Sequence, residues 1–174
     1  MSGLRPAVSE TDHCQGPEDA PVTLVEYGDY ECPYCGQAYP IVHQVQKALG
    51  IRLRFIFRNF PLAEMHPHAE RAAEAAEAAA AQGKFWEMHD LLYEHQKALD
   101  DAHLAEYAKR LGLDVDRVER EVEAGTHTKR VRSDVRSGVR SGVNGTPTFF
   151  VNGRRLDGPW DFDGLMNAIG HASR

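Results

Sequence analysis

No apolar run in this sequence approaches the ~20 residues that a membrane-spanning helix takes. Positive charge is also short: Lys and Arg number 20 against 26 Asp and Glu, for a net charge of −6. Nucleic acid and anionic membranes both require concentrated positive charge, so neither is expected as a partner. The opening stretch, MSGLRPAVSETDHCQGPEDA, contains no apolar h-region. It reads as a chain starting at Met1 without a signal peptide, and a cytoplasmic location is expected. Cysteine is scarce, with Cys14, Cys32 and Cys35 alone. Scaffolds stapled by disulfides are small and cysteine-dense, which excludes that class. In a reducing compartment a lone CxxC is more often metal-binding or redox-active than structural.

What is present is enough for one well-buried core, at 174 residues and 42% hydrophobic. VTLVEYG, residues 22–28, is rich in β-branched and aromatic types and reads as a buried strand. From Cys32 to Leu49, Ala38, Ile41, Val42, Val45, Ala48 and Leu49 recur at helical steps. Pro33 suits the first turn, where its missing N–H costs nothing, whereas Pro40 is expected to kink the helix. Gly50 supplies a stop. IRLRFIF, residues 51–57, reads as a second strand. Strand, helix and strand at this spacing form a βαβ unit with parallel pairing.

Beyond Pro61 the character changes. The alanine- and glutamate-rich tract HPHAERAAEAAEAAAAQ, then FWEMHDLLYEHQ, HLAEYAKRLGL and DRVEREVEAG all have helical periodicity. A further helix places Val131, Val135 and Val139 on one face, with Lys129, Arg130, Arg132, Arg136 and Arg140 as solvated charge opposite. Phe85, Trp86, Met88, Leu91, Leu92 and Tyr93 read as core for these helices. Strand character returns at TPTFFVNG, with a hairpin turn at Asn152-Gly153. A final helix opens at Asp161, with Trp160 as its packed cap. No internal repeat is present. The expected architecture is α/β: a core of residues 1–60 and 143–174, with an all-helical insertion over 61–142.

The CxxC carries the chemistry. A cysteine at a helix N-terminus meets partial positive charge and free N–H groups, so its thiolate is stabilised. Three residues of helix bring the second sulfur within bonding reach. Cys32 is then the exposed nucleophile and Cys35 the buried resolving thiol. Glu26 stands in an otherwise apolar strand, and a carboxylate buried there has a raised pKa and can exchange protons near neutrality. Pro147, in Gly145-Thr146-Pro147-Thr148, opens a strand after glycine and is a candidate cis peptide. Set beside the CxxC, such a loop offers the Thr146 backbone for β-type hydrogen bonds to a substrate chain.

VTLVEYGDYECPYCGQAYP together with GVNGTPTFFVNG resembles the DsbA-like branch of the thioredoxin superfamily. The strand glutamate, the CPYC, the kinking proline and the TP loop stand at the places expected there. The stretch from Cys35 to Pro147 is far longer than a minimal thioredoxin allows, and matches the helical insertion of that group. The likeness runs from about Val22 to Ala172. It implies a thioredoxin fold and dithiol–disulfide exchange, with Cys32 as nucleophile, Cys35 as resolver, Glu26 as buried proton acceptor and cis-Pro147 as substrate platform. Pro33, Tyr34 and Thr146 are the further substrate contacts. No dissociable cofactor and no metal are implied, since the cysteine pair stores the electrons. The partners are protein or peptide thiols and disulfides, plus a redox partner that the sequence does not identify.

Two departures qualify the resemblance. Tyr34 stands where the strongly oxidising DsbA type carries histidine, and Asp29 and Glu31 precede Cys32, where their charge is expected to push its pKa back up. A potential well below the DsbA end of the ~−120 to ~−270 mV range, nearer the glutaredoxin or thioredoxin values, is therefore expected. The absent signal peptide also speaks against a periplasmic oxidase. Two rival readings are a zinc clip, with His66 and His68 joining the cysteines, and a peptide- or thiol-binding module without turnover. His66-Pro67-His68 otherwise reads as a helix-entry turn. Cys14 reads as a free thiol, with a third redox sulfur as the sharper alternative.

Overall fold

The computed structural model describes residues 3–173; Met1, Ser2 and Arg174, at the ends of the expected core segments, lie outside them. Five strands form one sheet: β1 (His13–Gln15), β2 (Val22–Gly28), β3 (Leu53–Asn59), β4 (Thr148–Val151) and β5 (Arg154–Arg155), in the order β1-β3-β2-β4-β5. β2 and β3 run parallel, while the other neighbouring pairs are antiparallel. The crossover joining β2 to β3 is α1 (Pro33–Leu49). Between β3 and β4 the chain forms α2 (Ala69–Ala81), α3 (Phe85–Glu94), α4 (Asp101–Arg110), α5 (Val115–Ala124) and α6 (Thr128–Arg140), and α7 (Phe162–Ala172) closes it. This is a thioredoxin fold with a helical insertion. Among the described residues, no helix is long and apolar enough to cross a membrane.

β2 is central, so both its faces are covered. Val22 and Leu24 point into the larger cluster with Ala38, Val42 and Val45 of α1 and Leu165 of α7, while Val25 and Tyr27 join Ile56, Phe60 and Phe150 on the other face. The alternation of a strand puts Glu26 on the Leu24 face, toward the cysteine helix. Truncating the fully buried Leu24 to alanine is expected to cost about 2–5 kcal/mol.

Three elements differ from the sequence reading. β3 begins at Leu53, because the three residues before it form one 3-10 turn that leaves Ile51 81% exposed. Strand β1 was not expected: its three residues are too few to show alternation, and it exists because His13, Cys14 and Gln15 pair with Phe57, Ile56 and Phe55. On α6 the valine stripe faces the core only in part: Val131 is buried and Val135 packs against the second cluster, but Val139 turns away. Val131, Asp134, Ser137 and Gly138 are buried and Val139 is 62% exposed. Steps of four drift around a 3.6-residue helix, whereas alternating steps of three and four stay on one face.

That buried face is polar for a reason. Asp134 accepts from the main-chain and side-chain nitrogens of Asn59, each at 3.0 Å, and Ser137 Oγ bonds Tyr27 Oη at 2.8 Å. The helical insertion is thereby tied to the carboxyl ends of β2 and β3. α2 is buried nearly all round, which its alanines permit, and its Glu77 accepts from His13 and Asn59.

Candidate active site

The chain leaves β2 into a tight turn, Asp29-Tyr30-Glu31, that sets the start of α1. Asp29 organises it. Its Oδ1 accepts from the main-chain nitrogens of Glu31 at 2.8 Å and Cys32 at 3.2 Å. Its Oδ2 accepts from Leu62 N at 2.9 Å and His66 Nδ1 at 2.7 Å. Cys32 is the N-cap residue of α1, with extended backbone (φ −69°, ψ 122°), and Pro33 follows at the first helical position. At this helix start, free N–H groups and partial positive charge surround the first sulfur. From beyond α3, Gln96 Nε2 donates to Tyr30 O at 2.9 Å and Cys32 O at 2.8 Å. Gly36 lets that amide approach, because a Cβ there would collide with the Gln96 side chain.

All three cysteines are free thiols; Cys35 is buried as expected, but Cys32, expected to be exposed, is only 3% exposed because the Thr146 loop covers it, while Pro33 and Tyr34 stand exposed between them. A hydrogen bond from Cys35 stabilises the Cys32 thiolate most. Burial opposes it, and the Thr146 hydroxyl and the amides of Cys35 and Tyr34 add to it, so the Cys32 pKa falls to about 5. Burial, the Cys32 hydrogen bond and the charge of Glu26 hold Cys35 well above the usual thiol range. One sulfur is thus ready as a thiolate and the other retains its proton.

The expectation that Asp29 and Glu31 push Cys32 back up meets a different arrangement. Both carboxylates are already engaged: Asp29 as described, and Glu31 by His68, whose main-chain N and Nδ1 lie at 2.7 and 3.0 Å. The histidines suspected of completing a zinc clip therefore face these carboxylates. Among the described residues, no group of three or more His, Cys, Asp or Glu is arranged to hold a metal.

The loop before β4 closes the site from above. Cys32 Sγ donates to Thr146 O at 3.6 Å, the Thr146–Pro147 bond is cis, and Thr148 Oγ1 ties the loop to Gly145 O at 2.7 Å. Thr146 Oγ1 is buried with no partner other than the Cys32 sulfur. Beneath the cysteines lies Glu26, 2% exposed, with its Oε1 unpartnered. Burial and then the Cys32 charge push its pKa up to about 8. A cavity of about 10 Å³, room for one water, is lined by Glu26, Val42, Phe55 and His89 and reaches His43 and Asp90. The side chains of His43 and Asp90 are half-exposed. His89 is held neutral by burial, its pKa lowered to about 3, and its Nδ1 bonds Tyr30 Oη at 2.9 Å.

The structure thus brings together Glu26, Cys32, Pro33, Tyr34, Cys35, Thr146 and Pro147. Sequence reasoning missed Asp29 as the organiser, His66 as its partner, Gln96 and His89. Cys14 lies apart, in β1, with Sγ directed to Gly16 O at 3.8 Å.

Residues 8–171 match the family model described as Thioredoxin. A protein named Na(+)/H(+) antiporter NhaA 3, from Salinispora tropica, is 50% identical over 164 residues, covering 94% of this chain and 25% of its own length. The chain spans about a quarter of the length of the curated relatives it matches. Among solved structures, oxidised BdbD from Bacillus subtilis superposes with a TM-score of 0.85 at 25% identity, covering 93% of this chain and 92% of that one. A thioredoxin-like oxidoreductase from Silicibacter pomeroyi gives 0.83 at 29% identity, covering 94% and 93%. With the CPYC turn, the strand glutamate and the inserted helices all in place, this chain belongs to the thioredoxin family, and its fold is that of DsbA-like structures.

Proposed function

We propose that this chain is a thiol–disulfide oxidoreductase acting on protein or peptide thiols and disulfides through Cys32 and Cys35, with no dissociable cofactor. The observation that carries the reading is the asymmetry of the pair: a thiolate-prone sulfur at a helix start beside Thr146, and a buried protonated sulfur above Glu26. The Cys32 thiolate attacks a substrate disulfide, forming a mixed disulfide and releasing one substrate sulfur as a thiolate. Cys35 then passes its proton toward Glu26 and displaces the second substrate sulfur from Cys32. A Cys32–Cys35 bond forms, and two electrons have gone to the substrate. Run backwards, the same steps oxidise a dithiol.

Glu26 has a timed role in this scheme. The Cys32 charge is one reason its carboxyl holds a proton. Once Cys32 is tied up in the mixed disulfide that charge is gone, the Glu26 pKa falls, and the carboxylate becomes available as Cys35 must deprotonate. The small cavity leading toward His43 and Asp90 is the route we assign to the proton. The Thr146 main chain and Pro147, with Pro33 and the exposed Tyr34, are the surface offered to an extended substrate. A thiol-oxidation or insulin-reduction assay with Cys32→Ser as control tests the reading. Loss of turnover in the variant supports it, and cysteine-independent behaviour leaves a binding module.

A second reading follows from the relatives. Matched stretches form about a quarter of chains named as Na(+)/H(+) antiporters, which supports a membrane transporter as the client whose thiols this module oxidises or reduces.

A further inference from the structure

The turn that carries Cys32 contains an electrostatic conflict. Asp29 is needed where it stands, since its carboxylate receives the amides of Glu31, Cys32 and Leu62 and its own amide points at Cys35 Sγ at 3.5 Å. Yet a carboxylate wholly removed from water beside a thiolate disfavours that thiolate. A buried charge of this kind is tolerated only with a partner. The partner present is His66, whose Nδ1 lies 2.7 Å from Asp29 Oδ2, with side-chain exposures of 16% and 0%.

We propose that His66 is a positioning residue of the active site, an imidazolium whose charge lets the Asp29 carboxylate clamp the CPYC turn without opposing the Cys32 thiolate. The inference rests on the exchange reading only in taking Cys32 as the reacting sulfur. It also accounts for a CPYC lacking a histidine between its cysteines: the positive charge enters from the segment between β3 and α2 instead. The groups acting on His66 agree. Burial lowers its pKa, but the hydrogen bond to Asp29 and the charges of Asp29, Cys32 and Glu31 outweigh that and raise it. The neighbouring pair, His68 with Glu31, is a contrast, because its side chains are 47% and 19% exposed and solvent screens them.

The test is the Cys32 thiolate titration, followed by ultraviolet absorbance, on the reduced chain and on His66→Gln, His68→Gln and Asp29→Asn/His66→Gln. Glutamine still donates a hydrogen bond to Asp29 but brings no charge, so a merely structural role predicts no movement in His66→Gln. The expected result is a midpoint raised by about one unit. That tenfold loss of thiolate stabilisation also moves the potential about 30 mV in the reducing direction. His68→Gln shifts the midpoint by less than a third as much, and the double variant returns to the wild-type midpoint or below. An unmoved midpoint in His66→Gln, or a double variant titrating like His66→Gln, overturns the inference. If His66→Gln does not fold, NMR titration of the His66 imidazole in the reduced wild-type chain decides: a ring still charged where Cys32 has become a thiolate supports the inference, and a ring neutral there overturns it. A Cys32 that titrates low but ignores these changes sinks this inference alone, whereas a Cys32 that never reacts with disulfides sinks the exchange reading.

Discussion

Cys32 Sγ meets the main-chain oxygen of Thr146 at 3.6 Å, across 114 positions of sequence. The same residue presents a buried hydroxyl with no other partner, and that hydroxyl is among the groups lowering the Cys32 pKa. Replacing Thr146 with valine keeps the β-branched shape and removes the donor. The Cys32 thiolate midpoint is expected to rise in Thr146→Val, read by ultraviolet titration, with slower attack on a disulfide probe near pH 5 and little change near pH 8.

Glu26 and Cys32 pull the pH dependence of stability in opposite directions. Glu26 has its folded pKa raised from 4.5 to about 8, so it contributes stability at low pH that is lost as pH rises through that window. Cys32 has its folded pKa lowered from 9.0 to about 5, so the reduced protein gains stability from it as pH rises from about 5 to 9. Urea unfolding of the reduced forms between pH 6 and 8 checks this. Relative to the wild type, Glu26→Gln becomes more stable with rising pH and Cys32→Ser less so. Parallel curves for all three would contradict the assignment.

Kinetically, Glu26→Gln should leave the first attack by Cys32 intact and slow closure of the internal disulfide by about 10²-fold, the lower end of a general-base contribution. Stopped-flow measurement with a fluorescent disulfide substrate separates the two phases; equal slowing of both would argue that Glu26 is structural.

Gly36 is a packing test of the same turn. An added Cβ meets the Gln96 side chain, whose amide holds Tyr30 O and Cys32 O. Gly36→Ala is expected to lose about 1–3 kcal/mol in denaturant unfolding, and Gln96→Ala in the same chain should recover part of it. Full stability in Gly36→Ala would show that Gln96 moves aside freely.

The Cys32 pKa of about 5 falls between the ~3.5 and ~7 of the DsbA and thioredoxin references. Titration in glutathione buffers should accordingly place the potential inside the ~−120 to ~−270 mV span rather than at either end.

The sequence was most legible where the signal is local. β2 shows its apolar run, α1 its three- and four-residue spacing with Pro33 and Gly50 as its limits, and the β4–β5 hairpin its Asn152-Gly153 turn. Glu26 was legible for the same reason, as one charge among apolar neighbours. What escaped depends on meetings between distant segments. Nothing near His66 announces Asp29, and nothing near Gly36 announces Gln96. β1 is a strand only because β3 offers it an edge. Local charge counting at Asp29 and Glu31 left out their partners, because each carboxylate is engaged by a residue of the 61–68 segment. On α6 the conspicuous valines hid the buried face, whose Asp134 and Ser137 are polar because they satisfy Asn59 and Tyr27.

The most direct test is to trap the mixed disulfide. A Cys35→Ser chain mixed with a peptide disulfide should accumulate one covalent adduct, mapped by mass spectrometry to Cys32, with Cys14 unmodified and no adduct in Cys32→Ser/Cys35→Ser. Adducts on Cys14, or none on Cys32, would contradict the account.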